Sequence, residues 1–137
     1  HLKSIQKFKR KLKQLTRRSW SISLDERITK LNQVIRGWIN YFRIADMKMY
    51  MKDITSHLNR RIRCIIWKQW KIPKHRIICL IKLGIDKNMA KACAYARKSY
   101  WATSRVYPIQ QAISNERLKR KGLIFPIDHY LRVHTTI

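Results

Sequence analysis

Groups able to carry catalysis are few in this sequence, and they do not cluster. No two of its seven carboxylates form the Asp-Asp or His-x-Glu spacing suited to metal-assisted phosphoryl chemistry. Most of them stand where the start of a helix favours negative charge. The histidines share no nuclease-like spacing, and no glycine-rich phosphate loop is present. We therefore expect no catalytic residue in this chain. The carboxylates are Asp25, Glu26, Asp46, Asp53, Asp86, Glu116 and Asp128.

The three cysteines, Cys64, Cys79 and Cys93, lie in apolar helical patterns and form no Cys-x-x-Cys pair. This arrangement is typical of buried, reduced thiols. A zinc site that includes His75 is the alternative, but the ligand spacing does not fit one. We expect no metal site here.

Positive charge is the strongest feature of the composition. Lys and Arg number 32 against 7 Asp and Glu, so the formal net charge is +25. Such self-repulsion opposes folding, and contact with a polyphosphate offsets it. A hydrophobic content of 45% supplies one or two small cores. These features indicate a nucleic-acid-binding protein, above all an RNA-binding one; a soluble protein with a solvated basic face is the alternative.

Membrane and export signals are absent from the sequence. No apolar run approaches the roughly 18 residues that a membrane span needs, and there is no signal-peptide core. We expect no membrane partner. Because the first residue is His1 rather than Met, we also expect a piece of a longer chain.

Two long helices are predicted in the first third of the chain. The second spans about 24–44 and begins at the capping-box pair Ser23 and Glu26. It contains Gly37, which costs up to about 1 kcal/mol relative to Ala and suggests close approach of another helix or of a ligand backbone. The first spans 5–17 behind a cap at Ser4, with an apolar stripe of Ile5, Phe8, Leu12 and Leu15.

A third helix is predicted to begin at Asp46 or Asp53 and to end near Lys71, ahead of Pro73. On a helical wheel, Trp67 falls on a basic face opposite the apolar one. We interpret that face as a surface that stacks on a base or sugar and holds phosphates. The alternative is a helix buried on both sides. The predicted RNA-facing surface comprises Arg60, Arg63, Trp67 and Lys71.

Shorter helices are predicted after Pro73, some of them ending at Gly84 and Gly122 as C-caps. Together the elements predict an all-α fold, with a three-helix bundle at 1–72 and a small helical basic domain at 73–137. The shorter segments are about 74–83, about 87–97 behind Asp86, a segment around 100–104, a turn starting at Pro108, and about 115–121 behind Asn115.

Several runs of residues carry information that composition alone does not. Residues 31–42, LNQVIRGWINYF, are similar to the core motif of the maturase domain of group II intron-encoded proteins. Residues 58–63 with 67–71 resemble the next block of the bacterial members. Tyr100-Trp101, 114–118 and Gly122-Leu123 are similar to their C-terminal region. The resemblance covers essentially the whole chain and keeps the family's order.

The resemblance implies a thumb, or domain X, at 1–72 and a DNA-binding domain at 73–137. In that family the fingers and palm of a reverse transcriptase precede this region. The polymerase motif Tyr-Ala-Asp-Asp is absent, so this part is expected to be no enzyme and to hold no cofactor, whereas Mg²⁺ is expected in the palm and in the intron RNA. The implied partners are group II intron RNA, target DNA, and the fingers and palm of the same polypeptide. The implied location is the bacterial cytoplasm, in a ribonucleoprotein or with the nucleoid.

The candidate contact residues are mostly basic and fall into two sets. RNA binding is expected of Lys7, Lys9, Arg10, Lys11, Lys13, Arg17, Arg36, Arg60, Arg61, Arg63, Trp67, Lys68 and Lys71. DNA or RNA binding is expected of Lys74, His75, Arg76, Arg97, Lys98, Tyr100, Trp101, Arg105, Arg117, Lys119, Arg120 and Lys121.

Two other functions stay open. One is a structural RNA-binding protein of the ribosomal type, and the other is the thumb of a reverse transcriptase with a role outside introns. Salt-dependent binding is common to all of them, whereas a preference for intron RNA separates the first alternative from a maturase.

Overall fold

A computed structural model describes residues 2–134, and every regular element in that range is a helix. The all-α prediction is therefore confirmed. The elements are α1 (Leu2–Leu15), α2 (Leu24–Phe42), α3 (Lys48–Gln69), α4 (Pro73–Lys82), α5 (Lys87–Tyr95), α6 (Tyr100–Thr103), α7 (Tyr107–Ala112), α8 (Asn115–Arg120) and α9 (Pro126–Val133).

The described residues form two compact units. The first contains the chain up to Leu58 and again from Lys119 onward, and the second is Asn59–Leu118. These units do not follow the predicted segments 1–72 and 73–137, because the C-terminal stretch returns to the first unit. The functional assignment of those two segments stays a prediction.

In the first unit, α2 packs against α1 and against α9. The predicted α1 stripe is buried throughout: Ile5, Phe8, Leu12 and Leu15. On α2 the buried apolar residues follow the same spacing: Ile28, Leu31, Ile35, Ile39 and Phe42. Full burial of each such side chain stabilises the fold by about 1.5–3 kcal/mol, so the two stripes account for the pairing of α1 with α2.

Three predicted helix starts are wrong, and one of them is Asn115, which lies within α8 because the Arg117 N–H donates to Ser114 Oγ at 3.3 Å and makes Ser114 the cap. Ser4 lies inside α1, which already begins at Leu2, since the residues before it are good helix formers and nothing interrupts the helix there. α3 begins at Lys48 rather than at Asp46 or Asp53.

By contrast, the predicted cap of α2 is confirmed, because the Glu26 N–H donates to Ser23 Oγ at 3.1 Å.

Helix α9 was not predicted, and long-range hydrogen bonds hold it in the first unit. Buried Tyr130 accepts from the N–H of Met47 at 2.9 Å and donates to the carbonyl of Ala45. The N–H of Ile127 donates to Thr55 Oγ1 at 2.9 Å. The tyrosine hydroxyl is thus hydrogen-bonded to two backbone groups of the loop between α2 and α3, just before α3 starts.

The second unit packs the short helices α4, α5 and α7 together. Small residues of α5, Ala90 and Ala94, are buried, so the neighbouring helix can approach closely. The predicted glycine C-caps are confirmed, because Gly84 and Gly122 have φ values of +96° and +100°, a region that disfavours other residues. Pro108, predicted to start a turn, lies instead within α7.

No disulfide bond joins the three cysteines; Cys64 is buried as predicted, whereas Cys79 and Cys93 are only half-buried. Among residues 2–134, no helix is both long and apolar enough to cross a membrane.

Candidate nucleic-acid interface

The exposed side of α1 carries a dense basic surface. Because its apolar stripe is buried, most of the remaining helix circumference is left to Lys, Arg and Gln, and α1 contains no acidic residue. All six cations predicted here are exposed. We call five of them, which lie on α1, together with Arg17, two residues beyond the end of the helix, the α1 basic face: Lys7, Lys9, Arg10, Lys11, Lys13 and Arg17.

A shallow groove runs beside this face, between α1 and α2, with a volume of about 530 Å³. We call it the α1–α2 groove. Apart from Lys7, its polar lining is uncharged. It is lined by Ser4 and Lys7 of α1 and by Gln33, Val34, Gly37, Trp38 and Tyr41 of α2.

Aromatic packing makes one wall of the groove rigid. Half-buried Trp38 stacks on Phe8 and on Phe42, with ring centroids 6.0 and 5.8 Å apart. The ring of Tyr41 meets Trp38 edge-on at 5.9 Å, yet Tyr41 remains 61% exposed. Its hydroxyl lies 3.4 Å from Ser4 Oγ, so two hydroxyl groups stand together at one end of the groove.

Gly37 leaves the middle of the groove open. A Cβ atom built at this position has no described atom within 4 Å. Close approach of a neighbouring helix, one of the two predicted reasons for this glycine, is therefore not found among the described residues. Approach of a ligand backbone stays a prediction.

The predicted RNA-facing surface around Trp67 is wrong in its geometry. Trp67 is 4% exposed, and all residues from Ile62 to Trp67 are buried. Arg63 is buried too, and it donates to the carbonyl of Ile113 at 2.7 Å and to Asn115 Oδ1 at 2.8 Å. Burial lowers the pKa of Arg63. The second half of α3 is thus covered on both faces, which was the alternative interpretation.

Arg60 is held inside the second unit as well. Its Nε donates to Ser104 Oγ at 2.9 Å and its Nη2 to the carbonyl of Trp101 at 2.7 Å. Its guanidinium lies 3.6 Å from the centroid of the Trp101 ring, which is 39% exposed. Partial burial and, second, the charge of Arg105 lower the pKa of Arg60. The sequence placed both residues at the interface, but it did not reveal that they contact each other.

The remaining predicted contact residues between positions 61 and 76 are exposed, except for Arg61 and Arg76, which are half-buried. Arg76 donates from Nε to the carbonyl of Trp67 at 3.1 Å and lies 4.4 Å from that ring's centroid. This arginine therefore takes part in the internal packing of the second unit rather than presenting its charge to solvent. The exposed ones are Lys68, Lys71, Lys74 and His75.

The C-terminal candidates divide between the units. Arg97, Lys98 and Arg105 are exposed in the second unit, whereas Tyr100 and Arg117 are half-buried there. The first unit contains Lys119, Arg120 and Lys121, all exposed.

Two of these lysines form ion pairs. Lys119 lies 3.1 Å from Asp128, and Lys121 lies 3.5 Å from Asp25. Exposed pairs of this kind contribute about 0–1 kcal/mol, so a phosphate could replace the carboxylate.

Chemistry other than binding has little support among the described residues. No group of three His, Cys, Asp or Glu side chains in residues 2–134 could hold a metal ion. Burial raises the pKa of the Cys79 and Cys93 thiols, which favours the protonated, unreactive form.

Sequence reasoning missed two kinds of residue. Arg27 is 1% exposed and donates only to backbone carbonyls, and nothing in its sequence context distinguishes it from a surface arginine. The groove residues Gln33 and Tyr41 do carry a signal, because each lies four residues from Gly37 and therefore on the same face of α2.

The fold and these surfaces define an all-α, strongly basic protein whose exposed helix faces are rich in lysine and arginine. The sequence model of the family described as "Group II intron, maturase-specific domain" matches residues 5–80, which is more than half of the chain. The chain therefore belongs to the group II intron maturase-specific domain family. No curated protein matches it.

The family match confirms the resemblance for the maturase domain. It covers most of α1, all of α2 and α3, and most of α4. The chain thus has a maturase-related function in group II intron splicing, carried by a region that is maturase-specific and not itself catalytic. The bacterial type and the DNA-binding domain remain predictions.

Proposed function

We propose that this chain binds group II intron RNA and helps it fold for splicing. The supporting observation is that the α1 basic face lies wholly within the matched residues 5–80. Folded RNA concentrates phosphate charge, and each phosphate contact by Lys or Arg releases counterions. A helix whose exposed side is cationic and free of carboxylates suits this contact. Phosphate contacts fix the position of the protein on the RNA but do not recognise the base sequence.

The finer parts of the proposal follow the resemblance. Residues 1–72 act as a thumb that holds intron RNA and template–primer, and 73–137 contact target DNA during intron mobility. Exposed Lys74, Arg97 and Lys98 support the second role. The parent polypeptide is a reverse transcriptase whose palm, together with the intron RNA, holds Mg²⁺. The complex acts in the bacterial cytoplasm.

Selectivity is the test of this proposal. Fluorescence anisotropy would compare a labelled group II intron RNA with a ribosomal RNA fragment of equal length, over a series of salt concentrations. We expect tighter binding to the intron at every salt concentration. Equal affinity for both RNAs would favour a structural RNA-binding protein of the ribosomal type, and a preference for a non-intron template would favour a reverse transcriptase with another role.

A charge-matched pair of variants tests the surface. Lys7→Gln with Lys11→Gln removes two charges from the α1 basic face, whereas Lys48→Gln with Lys52→Gln removes two exposed charges from α3. Each lost phosphate contact lowers the magnitude of the salt slope by roughly 0.7–0.9. We expect a reduction of about 1.4–1.8 for the α1 variant and a smaller one for the α3 variant. Equal slopes would refute the assignment of this face.

A further inference from the structure

A cavity of about 210 Å³ lies within the second unit, between α5 and the segment that contains α6 and α7. We call it the α5–α7 cavity. Most of its lining is apolar, and Met89, Val106 and Pro108 form part of the wall. Two strongly polar side chains, those of Thr103 and Lys98, line it as well. Apolar walls with a few polar groups are typical of sites that bind a small ligand or part of a larger one.

The size of the cavity limits what it can hold. Sites for drug-sized ligands and cofactors have volumes of roughly 300–1,000 Å³, so this cavity is too small for them. A cavity of about 150 Å³ holds benzene, and the α5–α7 cavity is therefore large enough for a somewhat larger ring system. It is partly open to solvent, so a ring that is attached to a longer chain can enter it.

The surroundings of the cavity are cationic. No Asp or Glu occurs in the sequence between Asp86 and Glu116. Burial raises the pKa of the Cys93 thiol, which lines the cavity, whereas the charges of Lys98 and Arg76 lower it. These two cations therefore lie within electrostatic reach of the cavity. The exposed cations of this stretch are Lys87, Lys91, Arg97, Lys98 and Arg105.

A nucleotide combines the two properties that this site requires. Its base is a flat ring system that apolar side chains can enclose once the base leaves the stack. Its phosphates complement the cations around the cavity. The hydroxyl of Thr103 both donates and accepts, so it suits the polar edge of a base. An apolar side chain of a protein partner would fill the space, but it would leave these cations without a counter-charge.

We propose that the α5–α7 cavity binds one unpaired nucleobase of a DNA strand and that Lys98 binds a phosphate beside that base. This inference rests on the proposed function, in which residues 73–137 contact target DNA, and adds a site that recognises an unpaired base rather than the duplex backbone. Stacking and pairing must be lost before a base can enter such a cavity. The site therefore favours a base that is already unpaired.

The test uses the full chain and two DNA duplexes with the same flanking sequence, compared by fluorescence anisotropy. One carries a single bulged thymidine, and the other carries an abasic site in place of that nucleotide. Because the two duplexes have the same phosphates, they differ only in the base. We expect the wild type to bind the bulged duplex about tenfold more tightly, since one ring is buried in an apolar cavity. Equal affinities would overturn the inference.

Ala92→Leu narrows the cavity from an exposed position on α5. We expect the preference for the bulged duplex to fall below about twofold, with the affinity for the abasic duplex unchanged. Asn88→Leu, at an exposed α5 position outside the cavity, is the matched control and should keep the full preference. Lys98→Gln should weaken binding of both duplexes alike and lower the magnitude of the salt slope by about 0.9. A full preference in Ala92→Leu would contradict the assignment of the cavity.

Cys93 allows a second measurement at the cavity itself, which does not depend on the folding of Ala92→Leu. Cys64 is buried, so Cys79→Ser leaves Cys93 as the accessible thiol. Labelling with N-ethylmaleimide at mildly alkaline pH, where the thiolate is populated, would be followed by mass spectrometry with each duplex at saturation. We expect the bulged duplex to slow the modification and the abasic duplex to leave it close to the rate without DNA. Equal protection would mean that the base stays outside the cavity, and the inference would be wrong.

The two proposals fail in different ways. A wild type that prefers intron RNA but binds bulged and abasic DNA alike overturns only the base site. A wild type with no preference for intron RNA overturns the proposed function, because that selectivity is measured on RNAs that take no part in the comparison of duplexes.

Discussion

Replacement of Arg27 should loosen the attachment of the α1 basic face. The side chain is 1% exposed. Its Nη1 donates to the carbonyls of Leu15 at 2.7 Å and Arg17 at 3.0 Å, and its Nη2 donates to that of Trp20 at 2.6 Å. One guanidinium therefore satisfies the C-terminal end of α1 and the loop that leads to α2. Burial lowers the pKa of this arginine.

The size of the effect follows from those three bonds. Arg27→Met keeps much of the side-chain volume but leaves three carbonyls without their charged donor. Each buried polar group left unsatisfied costs about 1–3 kcal/mol, and the loop carbonyls can regain part of this from water. Removing the guanidinium also removes the cost of its burial. We expect the free energy of unfolding to fall by about 3–5 kcal/mol, which is at the high end for a single substitution.

Urea denaturation followed by circular dichroism measures this change. Lys30→Met on the same helix is the control, because Lys30 is exposed and its replacement should stay within about 0.5 kcal/mol of the wild type. Arg27→Lys should lie in between, since an ammonium group cannot span three carbonyls as the planar guanidinium does. If Arg27→Met unfolds within about 1 kcal/mol of the wild type, the bonds contribute little and the reasoning is refuted.

Two further predictions concern α2 and α9. Gly37→Ala should raise the free energy of unfolding by about 0.5–1 kcal/mol, because the new methyl meets no described atom and the helix gains propensity; a lower urea midpoint would contradict this. Burial first, and then the charges of Arg132 and Arg36, lower the pKa of His129, whose Nε2 is buried without a hydrogen bond. Since its folded pKa lies below the unfolded value of about 6.5, stability should fall as pH drops through that value. His129→Gln should lose this part of the pH dependence, and an equal fall in both proteins would contradict the assignment.

Local signals predicted the helix ends well where the deciding contact is itself local. The Ser23 cap of α2 and the Asp86 cap of α5 each involve a side chain and a backbone N–H two or three residues away. Glycine C-caps such as Gly84 depend only on φ. By contrast, α3 starts beside Met47, whose N–H is bound by Tyr130, a residue far along the chain. No local pattern contains that information.

Trp67 shows where periodicity fails in the candidate site. A helical wheel separates apolar from basic positions, and it assumes that basic positions face water. In the second unit, the carbonyl of Ile113 and the side chain of Asn115 accept from Arg63, so Arg63 and Trp67 are buried on that face, whereas Lys71 is exposed. The six cations of the α1 basic face are exposed because only one side of α1 is covered in the first unit, and their contact with RNA stays a prediction.

The distribution of arginine and lysine bears on how much of the charge can reach RNA. Arg27 and Arg63 are buried and bound mainly to backbone carbonyls, and Arg60 bridges a serine hydroxyl and a carbonyl. Because the sequence has few carboxylates, these arginine guanidiniums instead donate hydrogen bonds to groups on neighbouring loops and helices. The single ammonium group of lysine cannot connect several acceptors in this way. Arg27 and Arg63 cannot meet phosphates without breaking these buried hydrogen bonds, whereas Arg60 is only half-buried. A count of cations therefore overestimates the salt slope of RNA binding, and the exposed residues of the α1 basic face should account for most of it in the first unit.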